Sequence, residues 1–182
     1  MKNIKKLSLS ALFAALCLVA TAVIAIPLPT GYANLGDCFA FAAGFMLGMP
    51  WGIAAAGIGS ALADLLLGYA VYMPATAIIK ALVAVAGALC AKVVMSSNVS
   101  KLRKGIMIPV CSVAGEAVMV MGYLAYEYFA IGLREAAFAS VVANCVQAIV
   151  GVVASVAVVT VFINVTALRG FITSKNGRDE RR

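Results

Sequence analysis

Twenty consecutive residues, from Leu7 to Ile26, carry no charge, and the same pattern recurs down the chain, with charges gathered into short segments between apolar stretches. About 20 apolar residues cross the hydrocarbon core of a bilayer as a helix. The 182 residues therefore have room for about six such helices with short connections and for no separate soluble domain. Composition agrees. Hydrophobic residues make up 64% and charged residues 12% of the chain, against roughly 45–50% and 25% in soluble domains. A mean hydropathy of +1.07 also excludes a disordered chain, since disorder needs too little apolar surface rather than too much.

The breaks between apolar runs place the helices. The first runs from Leu7 to Ile26 and stops at Pro27 and Pro29; a loop follows over 27–36. A cleaved signal peptide is the competing reading of this segment, with Lys2 to Lys6 as its basic region and Ala20-Thr21-Ala22 as a cleavage site. A short second helix spans Asp37 to Met49, with a Gly44 and Gly48 packing face, and Pro50 separates it from a third over 51–68 that is dense in Gly and Ala. The fourth spans 75–95, the fifth 105–129 and the sixth 136–168. The expected fold is an all-α membrane bundle at 1–168 with a basic tail at 169–182.

Net charge is +7, and its position matters more than its size. If the N-terminus is cytoplasmic, the linker 96–104 and the tail are cytoplasmic too, and 12 of the 14 Lys and Arg fall on that side. Lys80 and Arg134 point the other way. The two glycosylation-like triplets, at Asn98 and Asn164, fall on the cytoplasmic side and read as chance matches. The chain has no histidine, which removes His-based metal sites and Ser-His or Cys-His nucleophiles. Its five cysteines, Cys17, Cys38, Cys90, Cys111 and Cys145, form no CxxC pair and read as small apolar packing residues. No P-loop is present, so any use of ATP needs a partner. Nothing here points to an enzyme, a cofactor or a metal.

A charge within a span is costly and is by default a functional residue with a partner. Those here are Asp64, Lys80, Glu116 and Glu127. Asp64 and Lys80 lie on helices joined by a tight turn, where an ion pair would close the hairpin. Asp37 begins a helix and is read either as a cap or as a ligand contact. Val120, Tyr123 and Glu127 fall within about 40° of Glu116 on helix five. Asn144 and Gln147 share a face of helix six. Carboxylates, amides and a phenol around apolar walls suit a small polar heterocycle, and interhelical hydrogen bonding is the plainer alternative. Ala11 and Ala15 give helix one a face that another helix can approach closely.

Leu35-Gly36-Asp37, the stretch from Gly57 through Asp64 to Tyr69, Tyr72-Met73-Pro74, Ile79-Lys80, Gly115-Glu116, Met121-Gly122-Tyr123, Glu127, Asn144 and Gln147 together resemble the substrate-binding S components of energy-coupling factor transporters. The likeness is nearest to the riboflavin, hydroxymethylpyrimidine and pyridoxine-like branch. It implies a six-helix subunit that binds a vitamin from outside and works with a transmembrane coupling subunit and two ATPases. It also implies that the coupling subunit meets Ala11 and Ala15, with Val19 as the third position of that motif. The candidate substrate-binding set is Asp37, Tyr72, Lys80, Glu116, Tyr123, Glu127, Asn144 and Gln147. A self-sufficient proton-coupled transporter using Glu116 or Glu127 is the alternative. An intramembrane aspartyl protease built on Asp37 and Asp64 lacks the Gly-x-Gly-Asp setting.

Overall fold

A computed structural model describes residues 2–28, 31–96 and 100–165. They form α1 (Lys2–Ala22), a hairpin of β1 (Ala25–Leu28) and β2 (Gly31–Asn34), α2 (Gly36–Leu47), α3 (Trp51–Leu66), α4 (Met73–Val94), α5 (Lys101–Ala125) and α6 (Ala137–Asn164). A π-helical turn, Tyr126–Ile131, extends α5, and a 3₁₀ turn, Arg134–Ala136, leads into α6. The all-α bundle expected from the sequence is present. The segment expected as a loop is instead an antiparallel hairpin pairing Ala25 with Asn34 and Leu28 with Gly31. The tail 169–182, Asn98 and part of the linker 96–104 lie outside the described residues.

Four helical segments are long and apolar enough to cross a bilayer: 4–22, 73–94, 102–131 and 134–164. At 1.5 Å per residue, α2 and α3 reach only about 18 Å and 24 Å. α2 compensates by burial, since every residue from Gly36 to Leu47 except Phe39 is enclosed by the bundle. A helix that is apolar all round belongs inside other protein. Large apolar side chains such as Val142, Ile149 and Val153 cover the outside of α6, the surface a bilayer would wet.

Glycine sets how near the inner helices come. A Cβ on Gly44 would lie 1.8 Å from the Ala84 carbonyl oxygen, and one on Gly87 would lie 2.1 Å from that of Phe41. α2 and α4 therefore touch backbone to backbone, the approach that small residues permit between membrane helices. Gly48 is constrained by its own backbone. It ends α2 at φ 61°, a conformation that costs a residue with a Cβ far more. On the other side, the Gly59 position lies against the Ala14 backbone, locking α3 to α1. α1 buries Phe13, Cys17 and Ala20.

α1, α2, α4 and α5 all start before the expected residues, and for the last two the reason is local. Pro74 sits in the first turn of α4, where its missing N–H costs no hydrogen bond. Ser100 caps α5 by accepting from the Arg103 N–H at 3.3 Å, which draws the basic run 101–104 into the helix.

Candidate functional site

At the hairpin end the helices part around a cavity of about 330 Å³. α3 supplies Ser60 and Asp64, α4 Thr76 and Lys80, the α3–α4 turn Tyr69 and Tyr72, the α5 segment Tyr123 and Glu127, and α6 Ser140, Ala143, Asn144 and Gln147; Thr21 and Asn34 close it from α1 and β2. Every helix except α2 thus contributes directly.

α2 acts from behind the wall. Its Asp37 is fully buried, forms an ion pair with Lys80, and accepts a hydrogen bond from Gln147 Nε2 at 2.6 Å. Gln147 Oε1 in turn accepts from Asn34 Nδ2 at 3.2 Å, and Asn34 Oδ1 accepts from the Gly36 N–H at 2.8 Å. One chain of bonds therefore joins the hairpin, α2, α4 and α6. Burial of a charge is tolerable only with such partners. Lys80 Nζ also lies 5.5 Å from the centre of the Tyr123 ring, within cation–π range.

This network corrects two expectations. The partner of Lys80 is Asp37 rather than Asp64, because the glycine contacts between α2 and α4 bring the start of α2 over Lys80. Asp64 lines the same cavity from α3. Nor is Asp37 a helix cap: α2 starts one residue earlier, with Leu35 at the cap position and no side-chain cap bond.

A second cluster holds Glu127. Tyr72 donates to Glu127 Oε1 at 3.2 Å, and the Ser140 hydroxyl bonds Oε2. Burial, and then the neighbouring Glu127 carboxylate, push the Tyr72 phenol up to about 12, so it is a donor at any physiological pH. The Tyr123 hydroxyl pairs with Thr76 Oγ1 at 2.9 Å, and the Tyr72 ring packs 6.5 Å from that of Tyr123 and 6.0 Å from that of Tyr126. The lining thus combines aromatic rings with amide and carboxylate groups. Thr21 Oγ1 and Ser60 Oγ are buried at the cavity without a hydrogen-bond partner among the described residues, which leaves two hydroxyls ready for a ligand.

Of the eight sequence candidates, Tyr72, Lys80, Tyr123, Glu127, Asn144 and Gln147 line the cavity, and Asp37 supports it from behind. Glu116 lies deeper, against Gly151 of α6, and does not line it. Sequence reasoning missed Thr21, Asn34, Ser60, Thr76 and Ser140. Ser60 and Thr76 had a usable signal, since each sits one helical turn from a charged residue, Asp64 and Lys80.

Residues 1–168 match the family model for the ECF-type riboflavin transporter S component. The chain belongs to that family. S components are transporter subunits rather than enzymes, and this one is accordingly a substrate-binding subunit of a vitamin transporter in the membrane. A protein of Pyrococcus woesei described as an uncharacterized protein in a gap 3' region is 32% identical over 137 residues, covering 74% of this chain and 86% of that protein. Ala11 and Ala15 of this S component, with Val19, lie on the exposed side of α1, opposite the buried Phe13 and Cys17.

Proposed function

We infer that this S component captures a single-ring vitamin or vitamin precursor, such as hydroxymethylpyrimidine or pyridoxine, in the cavity at the hairpin end, and that this end faces outward. The observation that carries the reading is the size and lining of the cavity. Its volume of about 330 Å³ lies at the small end of the roughly 300–1,000 Å³ range of ligand pockets. One ring against Tyr72 and Tyr123 leaves its nitrogens and hydroxyls within the reach of Glu127, Asn144, Gln147 and Lys80. The Asp37–Lys80–Gln147–Asn34 chain holds these groups in place before the ligand arrives, which lowers the ordering cost of binding. Riboflavin is the second reading, favoured by the description of the matched family.

The orientation rests on charge. Among the described residues Lys5, Lys6, Lys92, Arg103 and Lys104 lie at the helix ends away from the cavity, which supports a cytoplasmic N-terminus, linker and tail by the positive-inside rule. Release inward would need a coupling subunit and two ATPases, since the chain has no P-loop, and the exposed Ala11–Ala15 side of α1 is the docking face in this reading. The bundle at 1–168 would be the working domain and 169–182 a cytoplasmic tail.

Mass spectrometry of small molecules released from the purified chain, followed by calorimetric competition among hydroxymethylpyrimidine, pyridoxine and riboflavin, tests the assignment. The reading predicts that a single-ring compound binds most tightly. Preferential binding of riboflavin would replace it with the second reading, and no binding of any of the three would remove both.

A further inference from the structure

Much of the polar lining of the cavity is already committed within the protein: Gln147 bonds Asp37, Tyr72 bonds Glu127 and Tyr123 bonds Thr76. The hydroxyls of Thr21 and Ser60 stand apart from that pattern. Thr21 is 4% exposed, and its oxygen lies at the root of the hairpin, where a Cβ on Gly36 would stand 2.0 Å from Thr21 Oγ1 and 2.8 Å from Asn34 Oδ1. Ser60 is the more demanding of the two. It is fully buried, lines the cavity from α3, and its Oγ has no hydrogen-bond partner among the described residues.

Leaving a buried hydroxyl unpaired is costly, and helical serines ordinarily avoid it by donating to a nearby carbonyl. Ser8 donates to the Ile4 carbonyl at 3.0 Å and Ser10 to that of Trp51 at 3.0 Å. Ser60 makes no such bond. A ligand in the cavity would supply what the protein does not. The chemistry of the missing partner follows from the neighbour of Ser60 on the same helix. Ser60 and Asp64 are four residues apart on α3 and both line the cavity, so their side chains share one face. A carboxyl accepts a hydrogen bond in either protonation state, and a serine hydroxyl that lacks an acceptor has a proton to donate. A ligand group lodged between them must therefore donate to Asp64 and accept from Ser60. An alcohol does both. A neutral ring nitrogen only accepts, an ammonium only donates, and a methyl group does neither.

We propose, on the single-ring reading above, that Ser60 is a specificity-determining residue of the cavity, donating its hydroxyl proton to a hydroxymethyl group of the ligand that in turn donates to Asp64. Both single-ring compounds named in that reading carry such a group.

The test is calorimetric titration of the purified full-length chain with hydroxymethylpyrimidine, with pyridoxine, and with analogues of each in which a methyl group replaces a hydroxymethyl. Wild type is compared with Ser60→Ala and with Ser155→Ala, a control at a serine that is equally buried and unpartnered among the described residues but does not line the cavity. Thermal unfolding without ligand gives a second readout. Wild type should prefer a hydroxymethyl compound to its methyl analogue at least tenfold, because a site built around a hydroxyl rejects a ligand that leaves it unpaired. Ser60→Ala should lose most of that preference by weakening the hydroxymethyl compound, with no fall in ligand-free Tm, since its hydroxyl holds nothing within the protein; Ser155→Ala should keep the preference. Equal binding of hydroxymethyl and methyl forms by wild type overturns the proposal, as does a lowered Tm with unchanged affinity in Ser60→Ala. If neither single-ring compound binds wild type, the single-ring reading fails and riboflavin, whose side chain carries hydroxyls, decides for Ser60: at least tenfold weaker binding in Ser60→Ala sustains its role, and unchanged affinity or no binding at all overturns it.

Discussion

Two helix interfaces that frame the cavity, one of them behind its lining, are built on opposite plans. Where α2 meets α4, backbones touch at Gly44 and Gly87, the surroundings are apolar, and the buried charges Asp37 and Lys80 satisfy each other at the hairpin end. Where α5 meets α6, side chains do the meeting, and polar groups recur from Glu127 with Ser140 down to Glu116 against Gly151. The first wall is stiff because nothing in it can shift without backbone overlap. The second offers exchangeable functional groups, so one scaffold can suit different ligands by changing α5 and α6 while leaving the α2–α4 crossing alone.

The strongest way to break this contrast is to open the stiff wall. Gly44→Leu would drive a side chain into the Ala84 backbone, and loss of monodisperse protein on size exclusion is expected; a well-behaved variant would show that the crossing yields. Next in size is Lys80→Ala. It leaves Asp37 buried without its counter-charge and should cost about 3–5 kcal/mol in thermal or denaturant unfolding. The double variant Asp37→Ala with Lys80→Ala should recover part of that loss, and equal damage in both would deny the coupling.

Changes on the second wall should act on binding and spare the fold. Gln147→Ala, Asn144→Ala and Glu127→Ala each remove hydrogen-bonding capacity worth about 1–3 kcal/mol, which is roughly a 5-fold to 150-fold loss of ligand affinity. Wild-type affinity in all three would place the ligand elsewhere. Smallest of all is the effect of Ala15→Trp on affinity, because that side of α1 touches neither wall. Ligand binding should be unchanged within twofold while pull-down of a coupling subunit fails; intact assembly would remove α1 from the docking face.

The contrast also explains what the sequence could show. Hydropathy and prolines located all six helices, since apolar length and chain breakers act locally. Spacing of 3.6 residues put Tyr123 with Glu127 and Asn144 with Gln147 correctly, and the structure turns these four into one cavity. The pairing of Asp37 with Lys80 was not legible, because it depends on how α2 crosses α4, a contact between residues 43 positions apart. Glu116 shared the stripe of Glu127 but lies three turns lower, and periodicity fixes direction around a helix without saying where a cavity ends. The hairpin was hidden because Pro27 and Pro29 read as a break in the sequence, although Pro27 is accommodated in a two-stranded edge.

The central claim is that the space between the two walls is the vitamin site. Ala143 is buried and lines it from α6, so Ala143→Trp would fill the space without replacing a charged or amide group. Calorimetric titration of this variant with the best-binding vitamin, alongside wild type, is the direct measurement. The account predicts one ligand per wild-type chain and no measurable binding to a monodisperse Ala143→Trp. Unchanged affinity with the tryptophan in place would contradict it.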